Sequence, residues 1–320
     1  MKRREFIVLF SCAATEWSLP VLAQQGKTAK VGILLLGYPD PSIFLTGLRE
    51  GLRELGYEEG RSIELVIRSA GGRPTALESL AAEMIALQVG VIVAYPMTAG
   101  VAAKRATSEI PIVVYGGDLE ATNLAASLAR PGGNVTGVGG ATAELAAKNL
   151  ELIAELLPAA RRVAVLVNAD SPFATALLEH VQAAAQGLKV DIKSIPIHDS
   201  DQLGAAFVSI GEWKADALLI HPALPQELIA VLALKYRLAA VSPSSAFCRA
   251  GGLASYSADI RSLSRQCATF VDKILKGRKP SDLPVELPTR FQLILNLKTA
   301  RAIGMSIPPA LLGRADEVIE

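Results

Sequence analysis

Three histidines and three cysteines carry most of the nucleophilic, acid–base or metal-binding potential of this 320-residue chain. None of them stands in a spacing that builds a catalyst. There is no His-Glu-x-x-His, no Cys-x-x-Cys and no Gly-x-Ser-x-Gly, so zinc hydrolysis, dithiol redox chemistry and the serine-hydrolase elbow are not indicated. His180 falls within an expected helix and His198 in a loop, both surface positions. His221 ends an expected strand, where open parallel sheets gather their functional groups. Gly137-x-Gly139-Gly140 approximates a dinucleotide loop. The third glycine position is Thr142, however, and no acidic residue closes the neighbouring strand, so the run reads as a glycine-rich link. Catalysis is disfavoured, and neither a metal nor a cofactor is expected.

Binding chemistry is better represented. Tyr38 and Tyr95 offer aromatic faces, Thr98 and Ser171 offer donors at expected helix starts, and Asp118, Asn168, His221 and Tyr256 offer polar contacts. All of them follow or end expected strands, the edge at which parallel sheets hold ligands against the N-termini of the next helices. Gly116, Gly117, Asp170 and the Ser242–Ser245 stretch share that position. A lining of aromatic rings, hydroxyls and two carboxylates suits a small amphipathic solute rather than a polyphosphate. Each position also has a local structural use, since Asp and Ser before a helix are ordinary caps.

The elements that must hold these residues alternate along the chain. Val31–Leu36 is a continuous apolar run, the pattern of a strand buried on both faces. Phe44, Leu45, Leu48, Leu52 and Leu55 follow at helical spacing, with Gly56 as a stop. Strands at Ile63–Ile67, Val91–Ala94 and Ile112–Tyr115 alternate with helices at Thr75–Leu87 and Thr98–Thr107. After the turn cluster Arg130-Pro131-Gly132-Gly133-Asn134, Val135–Val138 is expected to open a second round of the same grammar. That round runs through strands at Val163–Val167, Val190–Ile195, Ala217–Ile220, Val241 and Gly252–Tyr256. A long helix at Ile260–Leu275 and a strand at Gln292–Leu297 complete it. The expected fold class is α/β: two doubly wound, Rossmann-like lobes joined by a hinge. Lobe 1 is expected over residues 24–135 with about 256–288, and lobe 2 over 136–255 with about 289–320, leaving a cleft between them.

Composition agrees with a soluble, two-lobed chain. It is 51% hydrophobic and 20% charged, with 32 basic against 31 acidic residues. That is too apolar for disorder and too balanced for a nucleic-acid binder that works by neutralising phosphates. Lys2, Arg3 and Arg4, the apolar stretch from Phe6, and Val21-Leu22-Ala23 before Gln24 read as a signal peptide over residues 1–23. Arg3-Arg4-Glu5-Phe6-Ile7 also has the look of a twin-arginine signal. Leu9-Phe10-Ser11-Cys12 is a poor lipid-attachment box, and Glu16 interrupts any membrane span. Cleavage after Ala23 removes three basic and two acidic residues and leaves the remainder balanced. Cys248 and Cys267 survive cleavage. An oxidising compartment allows them to pair, while small buried thiols are the commoner outcome.

Several long motifs resemble the ABC transporter substrate-binding proteins of the tryptophan/tyrosine-uptake type. They are the runs Gly47 to Tyr57, Ala129 to Gly137, Glu144 to Lys148, Gly251 to Tyr256 and Ile274 to Gly277, and the C-terminal run from Leu295 to Glu320. The exported start, with Ala23-Gln24-Gln25, fits as well. The resemblance implies a periplasmic, type I periplasmic binding protein with three hinge crossings. Such a protein closes on a small-molecule ligand and delivers it to an ABC permease in the inner membrane. Two positions depart from the pattern: the family's Asn-Pro-Asn is Asn168-Ala169-Asp170 here, and the segment after Ile220 is shortened to His221-Pro222-Ala223. Both lie in the expected ligand wall, so the solute is left open among amino acids, aromatic acids and similar carboxylates. The expectation is a monomeric binding protein, not an enzyme, with no nucleic-acid partner. The alternative is a sensor subunit that presents the same closed cleft to a membrane receptor.

Overall fold

A computed structural model describes residues 28–37, 41–171 and 173–320. The signal-peptide expectation and Tyr38 lie outside the described residues. The first sheet has five strands in the order β2-β1-β3-β4-β5, all parallel. They are β1 (Ala29–Leu35), β2 (Ile63–Ser69), β3 (Val91–Tyr95), β4 (Ile112–Tyr115) and β5 (Val135–Val138), joined through α1 (Ser42–Glu54), α2 (Leu77–Ala86) and α3 (Met97–Ala106). Every residue of β3, β4 and β5 is buried, as expected of strands covered on both faces. The edge strand β2 shows a mixed pattern of buried and exposed positions.

The second sheet has seven strands in the order β12-β11-β10-β9-β8-β6-β7. Its chain runs α4 (Thr142–Leu156), β6 (Arg162–Asn168), α5 (Ala174–Leu188), β7 (Asp191–Ile197), α6 (Leu203–Glu212), β8 (Ala217–Ile220), α7 (Gln226–Lys235), β9 (Ala239–Val241), α8 (Ser245–Arg249) and β10 (Ala254–Ala258). The chain then leaves for α9 (Ile260–Leu275), which packs on the first sheet, and returns as β11 (Phe291–Asn296), α10 (Leu297–Ile303), α11 (Pro309–Leu312) and β12 (Glu317–Ile319). β11 runs antiparallel to β10, and all the other pairings are parallel. Among the described residues no helix is long and apolar enough to cross a membrane.

Two lobes therefore share three crossings, and hydrogen bonds stitch those crossings together. Gly139 N–H donates to Glu286 O at 2.9 Å and Glu286 N–H to Gly137 O at 3.1 Å, tying the first crossing to the third. Asp259 N–H donates to Arg290 O at 3.1 Å, tying the second to the third. Two sequence expectations are corrected by the strand pairing. Val135–Val138 completes the first sheet beside β4 rather than opening the second lobe, and Tyr256–Ala258 belongs to β10 of the second sheet rather than to the first lobe. Gly137 in β5 has φ +148°, and a Cβ there would lie 2.0 Å from Val114 O, so only glycine fits the strand at this point.

α1 and α9 cover one face of the first sheet as a close pair. Phe44, Leu48 and Leu52 of α1 and Phe270 and Val271 of α9 are buried in one apolar cluster with β1, β3 and β4. Fully burying each of these side chains contributes about 1.5–3 kcal/mol. Gly47 and Gly51 set the approach of the two helices: a Cβ on Gly47 would stand 2.7 Å from Arg261 O, and one on Gly51 2.8 Å from Ala268 Cβ. Asp259 starts α9 as its N-cap, its carboxylate accepting from the N–H groups of Arg261 and Ser262. The two cysteines among the described residues are free and buried in different lobes, Cys248 in α8 and Cys267 in α9. Burial pushes the Cys248 thiol up to about 12 and Cys267 higher still, so both are inert thiols.

Candidate ligand cleft

The expected residues of lobe 1 sit at the strand ends, as the alternation required, but two of the three described there are engaged within their own lobe. Tyr95 closes β3 with its ring 4% exposed, stacked on Phe44 at 4.5 Å and tilted against Tyr115 at 4.9 Å. The open aromatic face expected of it is covered by core. Asp118 is exposed, yet its Oδ1 accepts from the N–H groups of Glu120 and Ala121, both at 3.0 Å, which makes it the cap of the turn after β4. Thr98 is exposed in the first turn of α3 and is the expected residue of this lobe placed as a helix-start donor.

In lobe 2, Asn168 Oδ1 accepts from Asp170 N–H at 3.0 Å and Ser171 Oγ accepts from Phe173 N–H at 3.2 Å. α5 begins at Ala174, so Ser171 precedes the helix rather than starting it. Tyr256 is half-buried in β10, stacked on Phe291 at 5.7 Å. Asn149, fully buried in α4, clamps the Tyr256 backbone from both sides, donating to its carbonyl at 2.7 Å and accepting from its N–H at 3.0 Å. His221 is 2% exposed after β8. Its Nδ1 accepts from Ala223 N–H at 3.1 Å, so the neutral ring carries its proton on Nε2, which has no partner among the described residues. Burial depresses this imidazole to about 4. Beside it Gln226 donates to the carbonyls of His221 and Leu224, and Ser242 donates to Gln226 at 2.7 Å.

The two walls meet at Phe173, which the sequence reading passed over. It comes from the loop after β6, yet it packs against the lobe-1 apolar cluster that contains Met97 and Leu119. The loop after β6 therefore reaches the lobe-1 wall through Phe173.

Nearer the crossings, a cavity of about 870 Å³ opens between the lobes. It is lined by the first turn of α1 at Ser42, Ile43 and Thr46, by Ser245 and Arg249 of α8, and by the crossing residues Asp259, Thr289 and Arg290. Phe291, Gln292 and Asp316 of lobe 2 complete much of the wall. Among the described residues, the only stretch singled out from sequence that reaches this lining is Ser242–Ser245, through Ser245. Its charges differ in how far they are spent. Arg261 pairs with Glu50, with Nε 2.9 Å from Oε2, and Arg249 pairs with Glu317 at 3.2 Å. Hydrogen bonding from Arg261 and the charges of Arg261 and Arg265 hold the Glu50 carboxyl below its usual range. Asp259 caps α9, and Asp316 accepts from Leu293 N–H at 2.7 Å. Arg290 is exposed, and its guanidinium makes no hydrogen bond or ion pair among the described residues.

Beneath that lining, Ser257 is 3% exposed and its hydroxyl has no partner among the described residues. It stands opposite Gln292 in the β10–β11 register, so both side chains leave the same face of the sheet. The open guanidinium of Arg290 presents to this cavity the forked donors from which carboxylates accept. Among the described residues no group of His, Cys, Asp and Glu is arranged to hold a metal ion.

A family model described as ABC transporter substrate binding protein matches residues 37–319, nearly the whole described chain. The chain belongs to that family. This substrate-binding protein has the type I periplasmic binding fold. It is 24% identical over 289 residues to a tyrosine-binding protein of Clostridioides difficile, covering 87% of this chain and 82% of the relative. Among solved structures it is similar to a conserved domain protein of Vibrio cholerae, with a TM-score of 0.84 and 28% identity over 91% of this chain and all of that one. A domain from Streptococcus pneumoniae in complex with L-Trp superposes with a TM-score of 0.85 at 23% identity, over 92% of this chain and all of that one.

Proposed function

We propose that the chain is the solute-binding component of an ABC importer, working outside the cytoplasmic membrane after export through its N-terminal segment. In this reading it captures a small organic solute bearing a carboxylate, an amino acid or aromatic acid, between its lobes and delivers it to a membrane permease. The observation that carries the reading is the cavity between the lobes, with the exposed Arg290 guanidinium at its wall making no hydrogen bond or ion pair among the described residues. Its volume is of the order that small-molecule sites occupy, roughly 300–1,000 Å³. The relatives bear on the ligand class, since one is named for tyrosine and another was crystallised with L-Trp. The protein acts by binding rather than turnover: a solute that touches both walls shifts the lobes toward the closed arrangement by its preference for that state. Thr98, Ser171 and the Nε2–H of His221 supply neutral donors along the strand ends, and Tyr256 borders the second crossing.

The test is equilibrium dialysis of the purified protein against a mixed pool of amino acids, aromatic acids and small carboxylates, with retained solute identified by mass spectrometry. The expected outcome is retention of one solute near one equivalent, and loss of most of it in Arg290→Met. Retention of nothing by the wild type rejects the reading. Equal retention by Arg290→Met removes the crossing cavity from the site and moves the carboxylate to the strand ends.

A further inference from the structure

α7 is apolar on both of its faces. Ile229, Ala230 and Ala233 point into the core of lobe 2. On the opposite side Leu228 is 42% exposed, Val231 61% and Leu234 41%. These three recur at intervals of three residues and form one stripe along the helix. Glu227 and Lys235, both exposed, close the two ends of the stripe. A surface helix whose outward face is its apolar one is covered by something in the working protein.

The order of residues in the stripe says what covers it. Counting outward from Val231, three positions either way give Leu228 and Leu234, and four give Glu227 and Lys235. The apolar part is the same in both directions and the charges are opposite. A second α7 laid antiparallel, with a twofold axis passing beside Val231, therefore sets Val231 against itself. It also sets Leu228 against Leu234 of the second copy, and Glu227 against Lys235 of the second copy twice over. Such self-complementarity is what an isologous interface requires, and near-antiparallel helices pack in this way at ordinary crossing angles. The surroundings extend the same face: Tyr236 and, on the neighbouring α6, Val208 are exposed, and the rings of Phe207 and Tyr236 are in contact at 5.4 Å. We infer that a second copy of this chain docks on the outer face of α7, forming a twofold homodimer through lobe 2, where the sequence reading expected a monomer. The contact uses the outer face of α7, whose opposite side is buried in the lobe-2 core.

The test is sedimentation equilibrium of the purified full chain from low micromolar to submillimolar concentration, for the wild type and four variants. The wild type is expected to fit a monomer–dimer equilibrium. Val231→Glu, which sets two carboxylates against each other on the axis, is expected to remain monomeric throughout. Lys235→Glu places like charges opposite Glu227 and is expected to raise the dissociation constant about tenfold. Adding Glu227→Lys to it is expected to restore dimerisation, a rescue that no loss of folding can imitate. Val231→Cys is expected to form an intermolecular disulfide under oxidation beyond any seen in the wild type, which carries the same Cys12, Cys248 and Cys267. All of these positions are exposed, so unchanged far-ultraviolet circular dichroism and unfolding midpoints are expected alongside. A wild type that stays monomeric at every concentration overturns the proposal and leaves the stripe to the permease or another partner. A dimer that Val231→Glu leaves intact overturns it too, by placing the contact on another face.

Discussion

Burial keeps His221 uncharged, and this has a measurable consequence at the scale of one residue. Its imidazole titrates at about 4 in the folded protein against an ordinary 6.5. Above pH 6.5 both folded and unfolded chains hold it neutral, and nothing is lost. As pH falls from 6.5 toward 4 only the unfolded chain takes up the proton, so stability drains away, by about 3 kcal/mol in all. His221→Asn is expected to flatten that part of the profile, with denaturant midpoints compared between pH 7 and pH 4.5. An equal fall in both proteins would show that other groups carry the acid sensitivity. The sequence marked His221 as the end of a strand, and that position is correct. It did not show the ring bonded to Ala223 N–H through Nδ1, because that depends on the turn geometry after β8. Ser171 misled for a related reason. It reads as a cap, and its hydroxyl does accept from Phe173 N–H at 3.2 Å, but α5 starts only at Ala174.

Helices and strands were legible wherever apolar residues kept a period. α1 shows this in Phe44, Leu48 and Leu52, and β3 and β8 as unbroken apolar runs. Membership of a sheet was not legible. Val135–Val138 has the same buried look as any parallel strand, and only its pairing with β4 places it in lobe 1. Glycines within α1 are the informative exception, since helix propensity and packing demand opposite residues at the same place. Alanine in a helix interior is worth about 1 kcal/mol over glycine. Yet a Cβ at Gly51 would meet Ala268 Cβ at 2.8 Å and Arg265 Cα at 2.9 Å, so α9 must move away. Gly51→Ala is therefore expected to destabilise by about 1–3 kcal/mol, the scale of overpacking. A stabilised variant in urea unfolding would mean that the two helices stand farther apart than described.

At the scale of the whole molecule, function rests on two lobes that meet in two places. The three crossings tie them at one end, and Phe173 touches lobe 1 across the strand ends. The candidate cleft lies between these contacts. Its strand-end wall was an expectation from the alternation of elements, because parallel sheets put that edge where ligands bind. Its crossing wall could not, since Asp259, Arg290 and Gln292 come together only when distant stretches of chain run side by side between lobes. The central claim is that this cleft captures a small carboxylate solute. Thermal unfolding of the protein against a panel of amino acids, aromatic acids and small carboxylates tests it most directly. A cognate solute at about 100 times its dissociation constant is expected to add roughly 2.7 kcal/mol and raise the midpoint clearly. A midpoint unmoved by every member of the panel would contradict the claim.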